Sequence, residues 1–215
     1  MLGSYATEAL AAGLSTDQYR FCLDCVAFRW EKSVAPSAAV WAGDMLEALI
    51  DQPCADPSSR LTVAANLVRR LAPYTDRIDA GILESIRDLA GVLQLEHELP
   101  APAQRAQTRG RSALANLRIG LYSLTPGALT RAKDALEVRY EGVSVETRSD
   151  RVASDGLRHL ARNADVMVVA WRSAAHAATD CISANRPTEM PTLRPAGKGS
   201  ASILASVDEW VKSRG

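Results

Sequence analysis

Cysteine, histidine and long apolar runs are all scarce in this chain. Its four cysteines, Cys22, Cys25, Cys54 and Cys181, are scattered over 215 residues, too few and too dispersed for a disulfide scaffold. The three histidines, His97, His159 and His176, make no metal-ligand spacing, and none is expected to hold a metal. No apolar run approaches the roughly 20 residues that span a bilayer, and no basic segment followed by a hydrophobic signal core opens the chain. These absences lead to the expectation of a soluble, cytoplasmic protein with no membrane partner. A charge excess is missing too, since 25 basic residues match 25 acidic ones. The balance conceals an asymmetry: residues 1–99 carry a net charge of −6 and residues 100–215 one of +6. Complementary surfaces, within the chain or toward a partner, are the expected consequence.

What is present is an ordinary globular composition, 47% apolar and 23% charged, long enough for one large domain or two small ones. The first half reads as helices. After Ser15, the spacing of Tyr19, Cys22, Val26 and Trp30 predicts an amphipathic helix with a serviceable cap. Val40, Trp41, Met45, Leu46 and Leu49 give a second, ending before the breaker run 51–57. A third is expected from Ser58 or Ser59 to Leu71, and a longer one from Asp76 to Glu96, weakened at Gly91. Together they predict an acidic helical bundle over residues 1–99, whose surface is a candidate for binding a protein partner. Cys22 and Cys25 sit three positions apart on one helix, inviting a redox or metal reading, but no second pair completes a set and packing is the expected role.

Residues 100–115 lack an apolar period and read as a basic linker with Arg105, Arg109 and Arg111. Those arginines are candidates for meeting nucleic acid, although no aromatic residues interleave with them. From 116 the pattern changes to alternating strands and helices. Strands are expected near 117–123, 143–147, 166–171 and 190–194, each followed by a helix, with Thr125 capping at Pro126 and Ser154 or Asp155 capping the next. Four such units over 116–215 predict a doubly wound, mostly parallel four-stranded sheet in the order 2-1-3-4, a Rossmann-like α/β domain preceded by an all-helical one.

In that topology the strand-to-helix junctions share one rim. Gly197-Lys198-Gly199-Ser200 is not a triphosphate loop, because Lys198 stands between the glycines, and the Gly120 strand lacks the three glycines of a dinucleotide fingerprint. The rim nevertheless gathers Arg148, Arg172, Arg194 and Lys198, cations suited to phosphate, with Ser123, Thr125, Ser173 and Ser200 as hydroxyl partners. His176 with Asp180 and Ser173 is the candidate acid–base group. Tyr122 is weighed as a stacking residue against burial, and Trp171 and Trp210 are expected to pack in a core or between domains.

The segments 164–170, 173–181, 193–195 and 200–204 resemble, in their order of strand, polar Ser/His/Asp/Cys stretch and later Arg-Ser loop, the C-terminal part of an uncharacterised bacterial α/β domain family. The resemblance covers the last quarter of the chain and implies a domain type without an activity. The leading expectation is a noncatalytic nucleotide- or phosphate-recognition module, a sensor or accessory component of a bacterial intracellular complex. The alternatives are a hydrolase or transferase acting on a phosphorylated nucleotide, and a nucleic-acid-binding or protein-interaction adaptor. No particular cofactor is implied.

Overall fold

A computed structural model describes residues 2–33, 36–101 and 114–214. The linker arginines Arg105, Arg109 and Arg111 lie outside the described residues. The chain divides into two compact units, Met1–Gln104 and Arg105–Gly215.

The first unit is helical: α1 (Leu2–Ala11), α2 (Thr16–Glu31), α3 (Ala39–Asp51), α4 (Pro57–Arg69) and α5 (Ala80–Val92). Local chemistry sets several of these starts. Ser15 caps α2 in a reciprocal box with Gln18, which satisfies two backbone donors at once. Asp56 caps α4, and Pro57 occupies its first turn, where a missing N–H costs nothing. The Asp56 carboxylate takes the Ser59 backbone N–H at 3.1 Å and the Arg20 Nε at 2.6 Å. These bonds, the first above all and the Ser59 hydroxyl as well, hold its pKa down at about 2. Asp79 caps α5 at Ala80, so that helix begins later than the apolar spacing alone predicts, and α1 was not anticipated at all. The core is built on Trp30, which is 1% exposed. Its ring stacks on Trp41 at 5.7 Å between centroids, and its indole N–H donates to the Asn66 carbonyl.

The second unit contains β1 (Arg118–Tyr122), α6 (Pro126–Arg139), β2 (Ser144–Arg148), α7 (Asp155–Asn163), β3 (Val166–Val169), α8 (His176–Asn185), β4 (Thr192–Leu193) and α9 (Ser200–Lys212). The strands form one parallel sheet in the order β2-β1-β3-β4. Alternation along the strands feeds two separate cores. Ile119, Leu121 and Val168 pack with α6 and α9 on one face. Tyr122, Met167 and Val169 pack with α7 and α8 on the other. This is the doubly wound arrangement. Gly120 is required where α7 comes down on β1, because a Cβ there would stand 2.7 Å from the Met167 sulfur. On the other face Asp208 of α9 accepts from Arg139 at 2.6 Å and from the Tyr140 hydroxyl at 2.7 Å, tying the end of α6 to α9.

Candidate functional site

Parallel strands all point their C-terminal ends the same way, so every strand-to-helix junction opens on one rim. Reversal of chain direction across the sheet falls between β1 and β3, where a crevice is expected. The structure bridges that point. The Leu124 N–H donates to the Ser173 carbonyl at 2.7 Å, and the Thr125 and Ser173 hydroxyls lie 2.9 Å apart in a hydrogen bond. Ser123, fully buried, accepts the Thr125 N–H on its Oγ at 3.1 Å. Beneath them the Tyr122 hydroxyl donates to the Asp150 carbonyl at 2.8 Å and accepts the Ala175 N–H at 3.3 Å. Its ring is 1% exposed, which removes it as a stacking platform for a ligand. Burial pushes the phenol pKa up. Ser123, Thr125 and Ser173 are therefore brought together, as expected, but as a seam that joins the two loops.

The cations of the rim are spread along it. Arg148 ends β2 and pairs with Glu146 at 2.9 Å. Its guanidinium rests against the start of α7, where Gly156 leaves the space that a Cβ would fill at 2.8 Å from the guanidinium carbon. Arg194 follows β4 at the opposite end of the sheet order. Three strand steps of ~4.8 Å separate these backbone positions by roughly 14 Å, and the two guanidinium groups are directed to different neighbours, Glu146 for Arg148 and the Trp171 ring for Arg194. Lys198 is half-buried and Ser200 buried in the junction before and at the start of α9, and both are engaged in interactions within the fold. Arg172 is exposed in the turn Trp171–Ser173.

Beside Arg194 the rim does open. A groove of about 420 Å³ runs between α8 and β4, lined by Trp171 and Arg194 together with Thr179, Ser183, Thr188 and Glu189. Trp171, expected to pack in a core or between domains, is 38% exposed, because β3 ends at Val169 and the turn Trp171–Ser173 carries the indole out onto the rim. The Arg194 guanidinium stacks over that indole at 4.5 Å from the ring centroid. A guanidinium held over an aromatic face keeps N–H donors for a further acceptor. Among the described residues Arg194 has no carboxylate partner.

His176 opens α8 and is exposed, as is Asp180 one turn on. Among the described residues no side-chain hydrogen bond joins His176 to Asp180 or Ser173, and the Ser173 hydroxyl is directed to Thr125. His176 uses its backbone carbonyl to accept the Thr179 hydroxyl. The cysteine pair of α2 is split by the helix surface: Cys22 is buried and Cys25 exposed, both as free thiols. Burial raises the Cys22 pKa, the opposite of an activated thiol. Among the described residues no cluster of three or more His, Cys, Asp or Glu side chains is placed to hold a metal ion.

One residue that sequence reasoning passed over organises the groove wall. Arg186, in the Asn185-Arg186-Pro187 run after α8, donates to the carbonyls of Ala161, Ala164, Asp165 and Pro191. It thereby fastens the end of α7 and the start of β3 to the segment leading into β4. Desolvation lowers its pKa from the usual guanidinium value. An arginine directly after a helix and before proline was the available signal, but nothing in the spacing distinguishes a carbonyl-binding arginine from an exposed one.

A parallel sheet wound on both faces, preceded by a helical bundle, places this chain in the Rossmann-like α/β class, an architecture that nucleotide- and phosphate-binding proteins share. The chain belongs to the DpdD-like family, whose model matches residues 2–206. That match overturns the resemblance confined to the last quarter: the similarity takes in the helical unit and almost the whole chain. Short strand–turn–helix patterns recur in many α/β proteins, whereas a match through both units does not depend on them. No curated protein and no solved structure matches the chain significantly. Among the described residues no helix is long and apolar enough to cross a membrane.

Proposed function

We propose that the α/β unit is a noncatalytic recognition module for a nucleotide or other phosphorylated small molecule, serving as a sensor or accessory component of a bacterial intracellular complex. The observation that carries this reading is the Trp171–Arg194 pair in the lining of the α8–β4 groove. The partly exposed indole offers apolar surface beside the guanidinium to a base or sugar, and an arginine without a carboxylate partner among the described residues offers bidentate donors to phosphate. Arg172 stands on the same turn as Trp171 and adds charge. Ser123, Thr125 and Ser173 brace the neighbouring junction, and Lys198 and Ser200 shape the loop behind Arg194. Arg148 belongs to the far flank, where it would meet only a ligand long enough to cross the sheet. Residues 1–99 and 116–215 are taken as the two working domains, with 100–115 as their linker.

Catalysis through His176, Asp180 and Ser173 has weaker support, since the serine hydroxyl is already paired with Thr125 and, among the described residues, no base is hydrogen-bonded to it. Equilibrium binding of the full chain to a panel of nucleoside mono-, di- and triphosphates and sugar phosphates tests the proposal. Saturable binding to at least one is expected. Loss of one charge-assisted contact should weaken it about 10- to 100-fold in Arg194→Ala. Binding to none of the panel, or undiminished binding by the Arg194→Ala/Lys198→Ala double variant, contradicts it.

A further inference from the structure

The α8–β4 groove contains one side chain that phosphate alone does not account for. Glu189 lines it together with Trp171 and Arg194. It is exposed, and among the described residues its carboxylate enters no ion pair and no hydrogen bond. The loop that presents it is fixed. The Met190 N–H closes a turn on the Pro187 carbonyl at 3.1 Å, and the Arg186 guanidinium clasps the loop by donating to the Pro191 carbonyl at 2.9 Å. Arg186, the other arginine of the lining, is committed there and to the carbonyls of Ala161 and Asp165, so it does not pair with Glu189.

The chemistry of a carboxylate says what a ligand must bring to it. An ionised carboxylate only accepts hydrogen bonds and repels phosphate oxygens, whereas a guanidinium only donates and attracts them. The hydroxyls of Ser183, Thr188 and Thr192, also in the lining, do either. A ligand that satisfies both Arg194 and Glu189 therefore carries an anion and, apart from it, a set of O–H or N–H donors. In a nucleotide the ribose supplies them: its 2′- and 3′-hydroxyls stand side by side, and the two oxygens of one carboxylate accept from both. The base is left for the apolar surface of Trp171 and Met190, which are 38% and 37% exposed. A volume of about 420 Å³ lies near the lower end of the ~300–1,000 Å³ of small-molecule sites, which favours a mononucleotide over a dinucleotide.

We propose that the groove selects a ribonucleotide over its 2′-deoxy counterpart, Glu189 accepting from the ribose hydroxyls while Arg194 donates to the phosphate; this rests on the groove being a phosphate site. Equilibrium titration of the full chain with ribonucleoside 5′-monophosphates, each beside its 2′-deoxy counterpart, tests it in the unaltered protein and in Glu189→Ala. The unaltered chain should bind at least one ribonucleotide about tenfold more tightly than the deoxy form, the scale of a hydrogen bond to a charged group. Glu189→Ala should reduce that preference to about twofold or less. It should leave affinity for the deoxynucleotide unchanged or raised, because a repulsive charge has gone, whereas a substitution that merely disturbed the loop would weaken both nucleotides alike. The position is exposed, and an unchanged melting temperature checks that the variant is folded. Equal binding of the two forms overturns the proposal, as does a preference that survives Glu189→Ala, a parallel loss of both nucleotides, or binding of sugar phosphates without any ribonucleotide. Each of these leaves the phosphate site standing, which weakened binding by Arg194→Ala verifies separately. Absence of binding by any phosphorylated ligand removes the phosphate site and this proposal together.

Discussion

The two units turn the same raw material, short amphipathic helices, to different ends. In the α/β unit the helices spend their apolar faces on the sheet, leaving two sealed cores. Its polar groups then collect where strands end, because topology sends every junction to one rim. In the helical unit no sheet collects anything. Trp30 anchors the interior, while the opposite side of the same helix leaves two phenylalanines outside. A sheet edge thus localises small-molecule chemistry by construction, and a helix face localises partner chemistry only through what its surface residues happen to be.

Trp30→Ala strikes the helical unit hardest. It removes a fully buried ring, its stacking on Trp41 and a hydrogen bond, and should cost about 3–5 kcal/mol by chemical denaturation. In the α/β unit the corresponding weak point is polar: Arg186→Ala strands several buried carbonyls and should cost about 2–4 kcal/mol. If both substitutions cost the same in the same transition, the distinction between an aromatic and a polar anchor loses its force. Gly120→Ala, which drives a methyl toward Met167 and Leu160, should cost about 1–3 kcal/mol.

Asp56 provides a gentler test in the helical unit. Its carboxyl is held below its ordinary 3.8, at about 2, so the bonds to Ser59 and Arg20 stabilise the fold above about pH 4. That contribution fades as pH falls toward 2. Asp56→Asn should lower the melting temperature at pH 7 and flatten its acid dependence between pH 4 and 2. An unchanged acid limb would show that this cap does not govern the start of α4.

Much of this architecture is legible in the residues. The four strand–helix units, their order and the caps at Ser15 and Ser154 follow from apolar period and side-chain chemistry, and the structure carries them. Helix α1 escaped because Leu2–Ala11 is rich in alanine and other small residues, which give little apolar period to read. The rim residues could be named from their junctions. Their spacing could not, since it depends on strand order and on two loops hydrogen-bonding across the point where a crevice was expected. Trp171 reads as the last residue of the most apolar strand, yet β3 ends at Val169, and two residues beyond that end are enough to put an indole on the surface. The stack with Arg194 joins residues 23 positions apart in sequence, and only the β3–β4 pairing brings them together.

Calorimetric titration of the tightest-binding nucleotide or sugar phosphate into the full chain and into Arg194→Lys tests the central claim most directly. Lysine keeps the charge but loses the planar fork and the stack on Trp171. The account predicts saturable binding by the unaltered chain and about tenfold or greater weakening in Arg194→Lys, with no change in melting temperature. Equal affinity in the two proteins would contradict it.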